Sequence, residues 1–335
     1  MREADFMRFF LTGATGFLGG ALALHLRAAG HEVHALVRHP RAAAHLAALG
    51  IVIHEGDVTD RNSLRAPMEG ADGVFHVAGW YKLGIRDRES AVKINIEGTR
   101  NVLDVMRELR ISKGVYTSTL AVNSDTRGQV VDETYQFTGR HVSLYDWSKD
   151  EAHKVALQHI SGGLPLVIVQ PGLIYGPGDT SGVRTTLLQY LQRKLPAVPA
   201  KATYCWAHVD DEARGHALAM ERGEPGRNYF LAGPVHTLVE ALDIAASFTA
   251  IPPPRVRLPS GVLKAAAMAL RLIDPFVNLP PSYSPESLRV LAGVTYIGSG
   301  ARAREELGWH ARPLRDGLMD TLRHEMRLLG MPPRF

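Results

Sequence analysis

The chain has 335 residues, 45% of them hydrophobic and 21% charged, a balance ordinary for a soluble globular protein with a sizeable core. Its 38 basic and 34 acidic residues leave a formal charge of +4; the basic residues are scattered and not interleaved with aromatics, which argues against a nucleic-acid surface while suiting an anionic cofactor or substrate. A single cysteine, Cys205, excludes an intramolecular disulfide and fits a reducing, cytoplasmic setting, where it reads as a packed thiol.

The N-terminal "MREADFMRFF" carries acids and lacks the apolar run of a signal peptide, and no stretch of about 18 uninterrupted apolar residues follows, so no integral membrane association is expected. "RFFLT" reads as a strand, residues 17–29 as a helix, "EVHALVR" as a strand and 41–49 as a helix. "IVIHEGD" and "GVFHVAG" are further strands, and 89–110 is a long helix with Val92, Ile96, Val102, Leu103 and Met106 as its apolar positions. "GVYTST" is a strand, 145–160 a helix and "PLVIVQP" a strand. Strands alternating with helices imply βαβ units and a parallel sheet covered on both faces, which is why the strands are near-continuous apolar runs. After Pro171 the rhythm changes: "QPGLIYGPGDTSG" reads as a loop, 181–200 as a helix and a turn, "RNYFLAG" as a strand, and the chain from about 234 as mostly helical, broken by "IPPPRVRLP" and "NLPPSYSP". "SGVLKAAAMALRLIDPFV" reads as a packed amphipathic helix with Lys264 and Arg271 on one face. Among the fifteen histidines, His31 and His34 are three apart on a strand and face opposite ways, and no HExxH spacing occurs, so no metal site is expected.

"TGATGFLGG" follows the first strand and opens the first helix. Gly13 permits a tight turn off the strand, Gly16 lets the backbone approach a pyrophosphate, and Gly19 allows close helix–strand packing. Thr15, Phe17 and Leu18 lie in the same turn, whose free N–H groups favour a negative charge. The spacing is GxxGxxG, and its placement in a βαβ unit points to a dinucleotide. Arg38 ends the second strand where an acid would hold a ribose 2′-hydroxyl; a guanidinium there suits a 2′-phosphate, so NADP(H) is expected, with NAD(H) as the alternative. Asp57 in "GDVTD" is placed to accept from an adenine amino group, with Val58 against the ring, and Val77, Ala78 and Gly79 in "HVAGW" would let the cofactor lie close.

In "SLYDWSKDEA", Tyr145 and Lys149 are four apart and share one helical face. A tyrosine titrates near 10, too high for a base at neutral pH; a neighbouring lysine cation and an oxidised nicotinamide ring would favour the phenolate. A hydroxyl from "YTSTLAV" would bind the substrate oxygen.

With these motifs in order, and "INIEGTRNVL", "QPGLIYGPGD", "WAHVDDEARGHALAM" and "AREELGW" beside them, the chain resembles the extended short-chain dehydrogenase/reductases. That superfamily includes NAD-dependent epimerase/dehydratases, dihydroflavonol 4-reductase and 3β-hydroxysteroid dehydrogenases. The resemblance implies a Rossmann α/β fold, a doubly wound parallel sheet, with a smaller, mostly helical C-terminal substrate lobe. The core would span 7–170 and about 206–232; the lobe would take about 171–205 and 234–335. It implies Tyr145 as proton donor or acceptor and Lys149 as the residue that tunes it and binds ribose. Thr119 matches the Ser/Thr position, Ser118 is its neighbouring candidate, Asn95 matches the family asparagine, and Pro171 opens the loop that contacts the nicotinamide. It implies a homodimer through 89–110 and 145–160. The implied reaction is hydride transfer between nicotinamide and a carbonyl or hydroxyl carbon of a hydrophobic small molecule. A nucleotide-sugar epimerase or dehydratase is the competing reading, although Gln170 replaces an arginine and only Arg184, Arg193, Lys194 and Lys201 offer themselves to a diphosphate. A non-enzymatic redox sensor ranks last because Tyr145 and Lys149 are both present. Trp80 and Tyr81 are candidate pocket walls, and loops 80–90, 123–142 and 172–204 carry substrate identity.

Overall fold

The computed structural model describes residues 6–85, 87–273, 284–332 and 335. Five strand–helix alternations lead from the N-terminus to the sixth strand. In chain order they run β1 Arg8–Thr12, α1 Phe17–Ala28, β2 Glu32–Val37, α2 Ala44–Ala47, β3 Val52–Glu55, α3 Asn62–Met68 and β4 Gly73–His76. Then come α4 Arg88–Ala91, a π-helical turn Val92–Glu97, α5 Gly98–Glu108, β5 Gly114–Thr117, α6 Leu144–Ser161 and β6 Leu166–Pro171. These are followed by β7 Leu173–Tyr175, α7 Gly182–Leu191, β8 Ala197–Pro199, β9 Thr203–His208, α8 Val209–Arg222 and β10 Asn228–Leu231. The chain continues through β11 Val235–Thr237, α9 Leu238–Thr249, β12 Val256–Leu258, α10 Ser260–Ile273, α11 Pro285–Leu291, β13 Thr295–Tyr296, a second π-helical turn Ala303–Leu307 and α12 Leu314–Leu328.

Seven strands form one parallel sheet in the order β10-β6-β5-β4-β1-β2-β3. Alternation along β1 explains its two-sided burial. Phe9 and Leu11 face one layer with Leu22 and Leu26 of α1 and Met220 of α8, whereas Phe10 faces the other with Val102 and Met106 of α5 and Ala152 of α6. The outer edge of β10 is occupied by side chains: Phe230 N donates to Glu133 at 2.9 Å and Arg302 donates to Asn228 O at 3.2 Å. A third cluster, with Tyr175, Tyr190, Trp206, Leu242, Leu318 and Leu322, joins α7, α9 and α12 to the small sheet in which β9 pairs with β7, β11 and β13.

The fold class matches the sequence reading, and four details add to it. Helix α3 contains Pro67 and has no clean apolar period, so the sequence pattern does not announce it. The helix expected over 89–110 has its π turn around the buried Asn95. The loop expected after Pro171 begins with β7, and the C-terminal part carries strands of two or three residues that are too short for a periodicity signal. Helix α10 buries Leu263 and Ala267 yet exposes Val262, Met268 and Leu272, so it packs by one narrow stripe; the end of that apolar segment, 274–277, lies outside the described residues. No helix among the described residues is long and apolar enough to cross a membrane.

One buried acid makes a stability prediction. Glu212 of α8 is 0% exposed and neither carboxylate oxygen has a hydrogen-bond partner. Burial, helped by Asp211, holds its pKa well above the usual 4.5, so the native protein keeps a proton that the unfolded chain releases as pH rises through 4.5. That release favours unfolding, increasingly so until the pH reaches the native value. Glu212→Leu is therefore expected to stabilise the protein at pH 7.5 by on the order of 1–3 kcal/mol, with a smaller gain at pH 4.5. Urea denaturation of both proteins at the two pH values checks this; a variant less stable than wild type at pH 7.5 would contradict it.

Candidate active site

The sheet changes winding direction between β1 and β4, since β2 and β3 lie to one side and β5, β6 and β10 to the other. Ligands of open α/β sheets sit outside the carboxyl ends of the strands at such a point. The predicted residues gather there. Gly13 follows β1 at φ +83°, and a Cβ on it would stand 2.7 Å from Ala78 N after β4. The two turns that flank the crevice therefore touch through backbone. Thr15 and Gly16 are exposed, and α1 starts with no side-chain cap and no acid in its first turn, so its leading N–H groups are free for an anion. Phe17 is half-buried and Leu18 buried. A cleft of about 550 Å³ beside this turn is lined by Thr15, Gly16, Phe17, Pro177, Gly178 and Asp210, among others. It brings the glycine turn and the "YGPGD" loop together.

Arg38 follows β2 and is exposed. Asp57 after β3 is half-buried, and its carboxylate accepts from Thr59 N at 2.9 Å. Val58 turns inward, buried against Gly98 at the start of α5, so its ring-facing surface is small. Val77 and Ala78 donate their N–H groups to Thr12 Oγ1, both at 3.2 Å, and Gly79 is exposed next to Lys149 Nζ. Pro171 closes β6, buried.

The candidate reacting groups come from the turn after β5 and from α6. Ser143 caps α6 by accepting from Asp146 N at 3.0 Å, and this fixes where the first turn carries Tyr145. Thr119 Oγ1 accepts from Ala121 N at 3.2 Å and its carbonyl accepts from Gln170 Nε2 at 3.4 Å. Burial drives the Tyr145 hydroxyl far above its ordinary 10, with Tyr81 adding to the rise and the nearby Thr119 hydroxyl opposing it. Lys149 is buried, and desolvation pushes its ammonium down to about 7. It donates to Thr117 O at 2.8 Å and lies 3.3 Å from Tyr116 Oη, which draws it toward β5. The lysine is not among the groups acting on Tyr145, so the lowering of the phenol expected from it is not seen here.

Two predicted residues sit beside the reacting set. Ser118 is turned to His153, Oγ to Nδ1 at 2.9 Å, which leaves Thr119 as the hydroxyl on Tyr145. Asn95 accepts from Trp80 N at 2.6 Å and donates to Trp80 O and to Ser148 Oγ at 3.1 and 2.8 Å. It ties the loop after β4 to α6, and Trp80 is thereby a buried wall support and not a pocket lining. Tyr81 stands beside the candidate site: the residue is 49% exposed, and its ring meets that of Tyr145 edge-on, centroids 4.8 Å apart.

Sequence reasoning missed several neighbours. Asp146 is buried, pushed up to about 6 by desolvation, and accepts from Ser143 Oγ at 2.6 Å and Tyr296 Oη at 2.8 Å. The S-x-x-D spacing of Ser143 and Asp146 was a visible capping signal; the reach of Tyr296 from β13 was not. Tyr204 and Tyr296 stack at 6.2 Å, so aromatic rings gather around the α6 start. Also unforeseen, His208, Asp210 and Asp320 bring ligand-type atoms within 4.8 Å of one another. The two carboxylates meet opposite ring nitrogens of His208, at 3.5 and 3.4 Å, and Arg312 stands 3.6 Å from Asp210, an arrangement of ion pairs more than a coordination cage. Arg184, a diphosphate candidate, is held by Glu325 at 2.7 and 3.0 Å.

The family model described as the NAD-dependent epimerase/dehydratase family matches residues 9–232. A protein of Synechocystis sp. called a putative dihydroflavonol 4-reductase is 32% identical over 94% of this chain and 93% of its own. The 4-hydroxy-2-methyl-3-oxo-4-farnesyl-3,4-dihydroquinoline-1-oxide ketoreductase of Stigmatella aurantiaca is 32% identical over 95% of this chain and 96% of its own. The crystal structure of gox2253 superposes with a TM-score of 0.84 at 31% identity, covering 98% of this chain and all, 100%, of that one.

Proposed function

Starting from a chain that belongs to the NAD-dependent epimerase/dehydratase family, we propose that it is an NADP(H)-dependent reductase of an apolar, carbonyl-bearing small molecule. The observation that carries the reading is the grouping of Thr119, just past the carboxyl end of β5, with Tyr145 and the buried Lys149 of α6, the lysine lying beside Gly79 after β4. The dinucleotide would supply the hydride. Gly13, Thr15 and Gly16 would hold its phosphates, Asp57 and Val58 its adenine, and Lys149 its ribose, with Val77, Ala78, Gly79 and Pro171 flanking the crevice. The groups present fit such a ligand: the turn is too tight for a Cβ at Gly13, and the N–H groups at the start of α1 have no cap.

Thr119 and Tyr145 would both donate to the substrate carbonyl oxygen, and Tyr145 would pass its proton to that oxygen as the hydride arrives at carbon. Tyr81, Tyr204 and Tyr296 offer aromatic surface near Tyr145, and the names of the reductase and ketoreductase relatives support a carbonyl substrate of that kind. The commitment of Arg184 to Glu325 removes one cation that a nucleotide sugar would need. In this reading 171–205 and 234–335 form the substrate lobe.

Arg38 decides the cofactor. Calorimetric titration of NADPH and NADH into wild type and Arg38→Ala is the test. A guanidinium on a 2′-phosphate is a charge-assisted contact of about 1.5–3 kcal/mol. NADPH affinity is therefore expected to fall by roughly 10- to 100-fold in the variant, with NADH unchanged. Equal affinities in wild type would remove the NADP(H) assignment. Oxidation of NADPH by aryl and alkyl ketones, with nucleotide sugars as the comparison set, tests the reaction class; turnover of the sugars alone would overturn the reductase reading.

A further inference from the structure

Helix α10 is apolar on both of its sides and covered on one. Leu272 and Met268 are 76% and 72% exposed, the highest values for a large apolar side chain among the described residues. Val262 on the same helix and Val256 on β12, just before it, are each 54% exposed. At 3.6 residues per turn Val262, Ala265, Met268, Ala269 and Leu272 share one arc of the helix, and all five are exposed. The opposite arc holds the buried Leu263 and Ala267, and α11 is the helix that α10 packs on. A helix that is apolar all round belongs in a core or against an apolar phase.

The charges near this ridge have one sign. Lys264 and Arg271, seven residues apart, run along one margin of the exposed arc beside Met268. Arg255 and Arg257 stand at β12, and all four cations are exposed. The sequence has no carboxylate from 250 to 273; the next acid, Asp274, lies outside the described residues. Arg257 is paired with Asp243 at 3.5 Å, whereas Arg255, Lys264 and Arg271 have no ion-pair partner among the described residues.

An apolar ridge edged with unpaired cations fits a surface that is negative on top and apolar beneath. A second copy of this chain fits it less well, because it would bring further cations to a face that holds no acid to meet them. A protein groove would have to match a convex ridge, and fluid acyl chains need no such match. We propose that α10 and β12 rest on the surface of an anionic phospholipid bilayer, with Val262, Met268 and Leu272 among the outer acyl carbons and Arg255, Lys264 and Arg271 on the phosphates. The 14 residues of α10 lie along that surface; the helix is not long enough to cross it. The inference does not rest on the reductase reading, since it uses no group of the candidate site.

Vesicle sedimentation tests it on the intact protein, without cofactor or substrate. Two compositions serve, phosphatidylcholine alone and phosphatidylcholine with about 30% phosphatidylglycerol. Wild type is expected to partition onto the anionic vesicles about 100-fold more strongly than onto the neutral ones, and to lose most of that difference when salt rises from about 0.1 M to about 1 M. Lys264→Gln with Arg271→Gln should weaken partitioning onto the anionic vesicles by roughly 25-fold, about 5-fold per charge. Met268→Gln with Leu272→Gln should weaken it by at least about 10-fold. Both side chains are already exposed, so the melting temperature of that variant should stay within about 2 °C of wild type. Absence of wild type from the anionic vesicles overturns the proposal. So does equal binding to the two compositions, or undiminished binding by either double variant. A wild-type oligomer that dissociates in Met268→Gln with Leu272→Gln also overturns it, by putting a second copy on the face.

Discussion

Tyr145→Phe is expected to lower the rate of hydride transfer by about 10²–10⁴-fold while leaving dinucleotide affinity within about 2-fold of wild type. The substitution removes one oxygen. It keeps the ring that meets Tyr81 edge-on, and it leaves the Ser143 cap and the Asp146–Tyr296 bond intact, so α6 stays where it is. On the proposed reading, what disappears is the proton that would reach the substrate oxygen. Thr119 can still donate one hydrogen bond, which sets a floor under the residual rate. Single-turnover oxidation of the bound reduced dinucleotide, NADPH or NADH, with cofactor affinity measured in parallel, separates the two quantities. A variant that keeps more than a tenth of the rate would move the proton donor elsewhere in the site.

The second large effect belongs to the fold. A Cβ on Gly19 would stand 2.1 Å from Gly13 O and 2.6 Å from Gly13 C. Both are backbone atoms of the tight turn, so no side chain can swing aside to relieve the overlap. Gly19→Ala must push α1 off β1 or unwind the turn, at a cost of about 3 kcal/mol or more. In a chain of this size that is expected to lower Tm by roughly 5–10 °C and to abolish measurable dinucleotide binding together with it. Gly16→Ala is the informative contrast. Its Cβ would meet only Gly13 O, at 3.2 Å, on an exposed face, so affinity should fall with little change in Tm. A Gly19→Ala protein that melts and binds like wild type would mean that the helix is not seated on the turn as described.

The site's skeleton was legible because its signals are local. Strand, GxxGxxG and helix occupy one short stretch, and Tyr145 and Lys149 are one helical turn apart, so pattern and chemistry coincide within a few residues. The adjacency of β1 and β4 that makes the crevice was not legible, since βαβ alternation is compatible with more than one strand order. What escaped the sequence depends on pairings across long stretches of chain. Nothing near Asn95 says that it holds the backbone of Trp80, nothing near Ser118 says that His153 will claim it, and the Asp146 carboxylate waits for Tyr296 from β13. The same holds for His76, which meets the Thr99 hydroxyl and the Tyr116 ring only when β4, α5 and β5 are stacked. The short strands β7, β11 and β13 were missed for a related reason: two or three residues do not establish a period, and each exists because β9 offers it a partner.

The place of β10 at one end of the parallel sheet also bears on how the protein is made. Strand β6 is buried along its whole length, and one of its edges is covered only by residues 228–231. During synthesis the strands β1 to β6 emerge in turn and can pair among themselves, but that edge stays open while β7, α7, β8, β9 and α8 are still leaving the ribosome. An apolar edge left waiting is an invitation to intermolecular pairing. A chain that ends before residue 228 is therefore expected to leave that edge open to intermolecular pairing, and 172–227 is the stretch whose synthesis keeps the edge waiting.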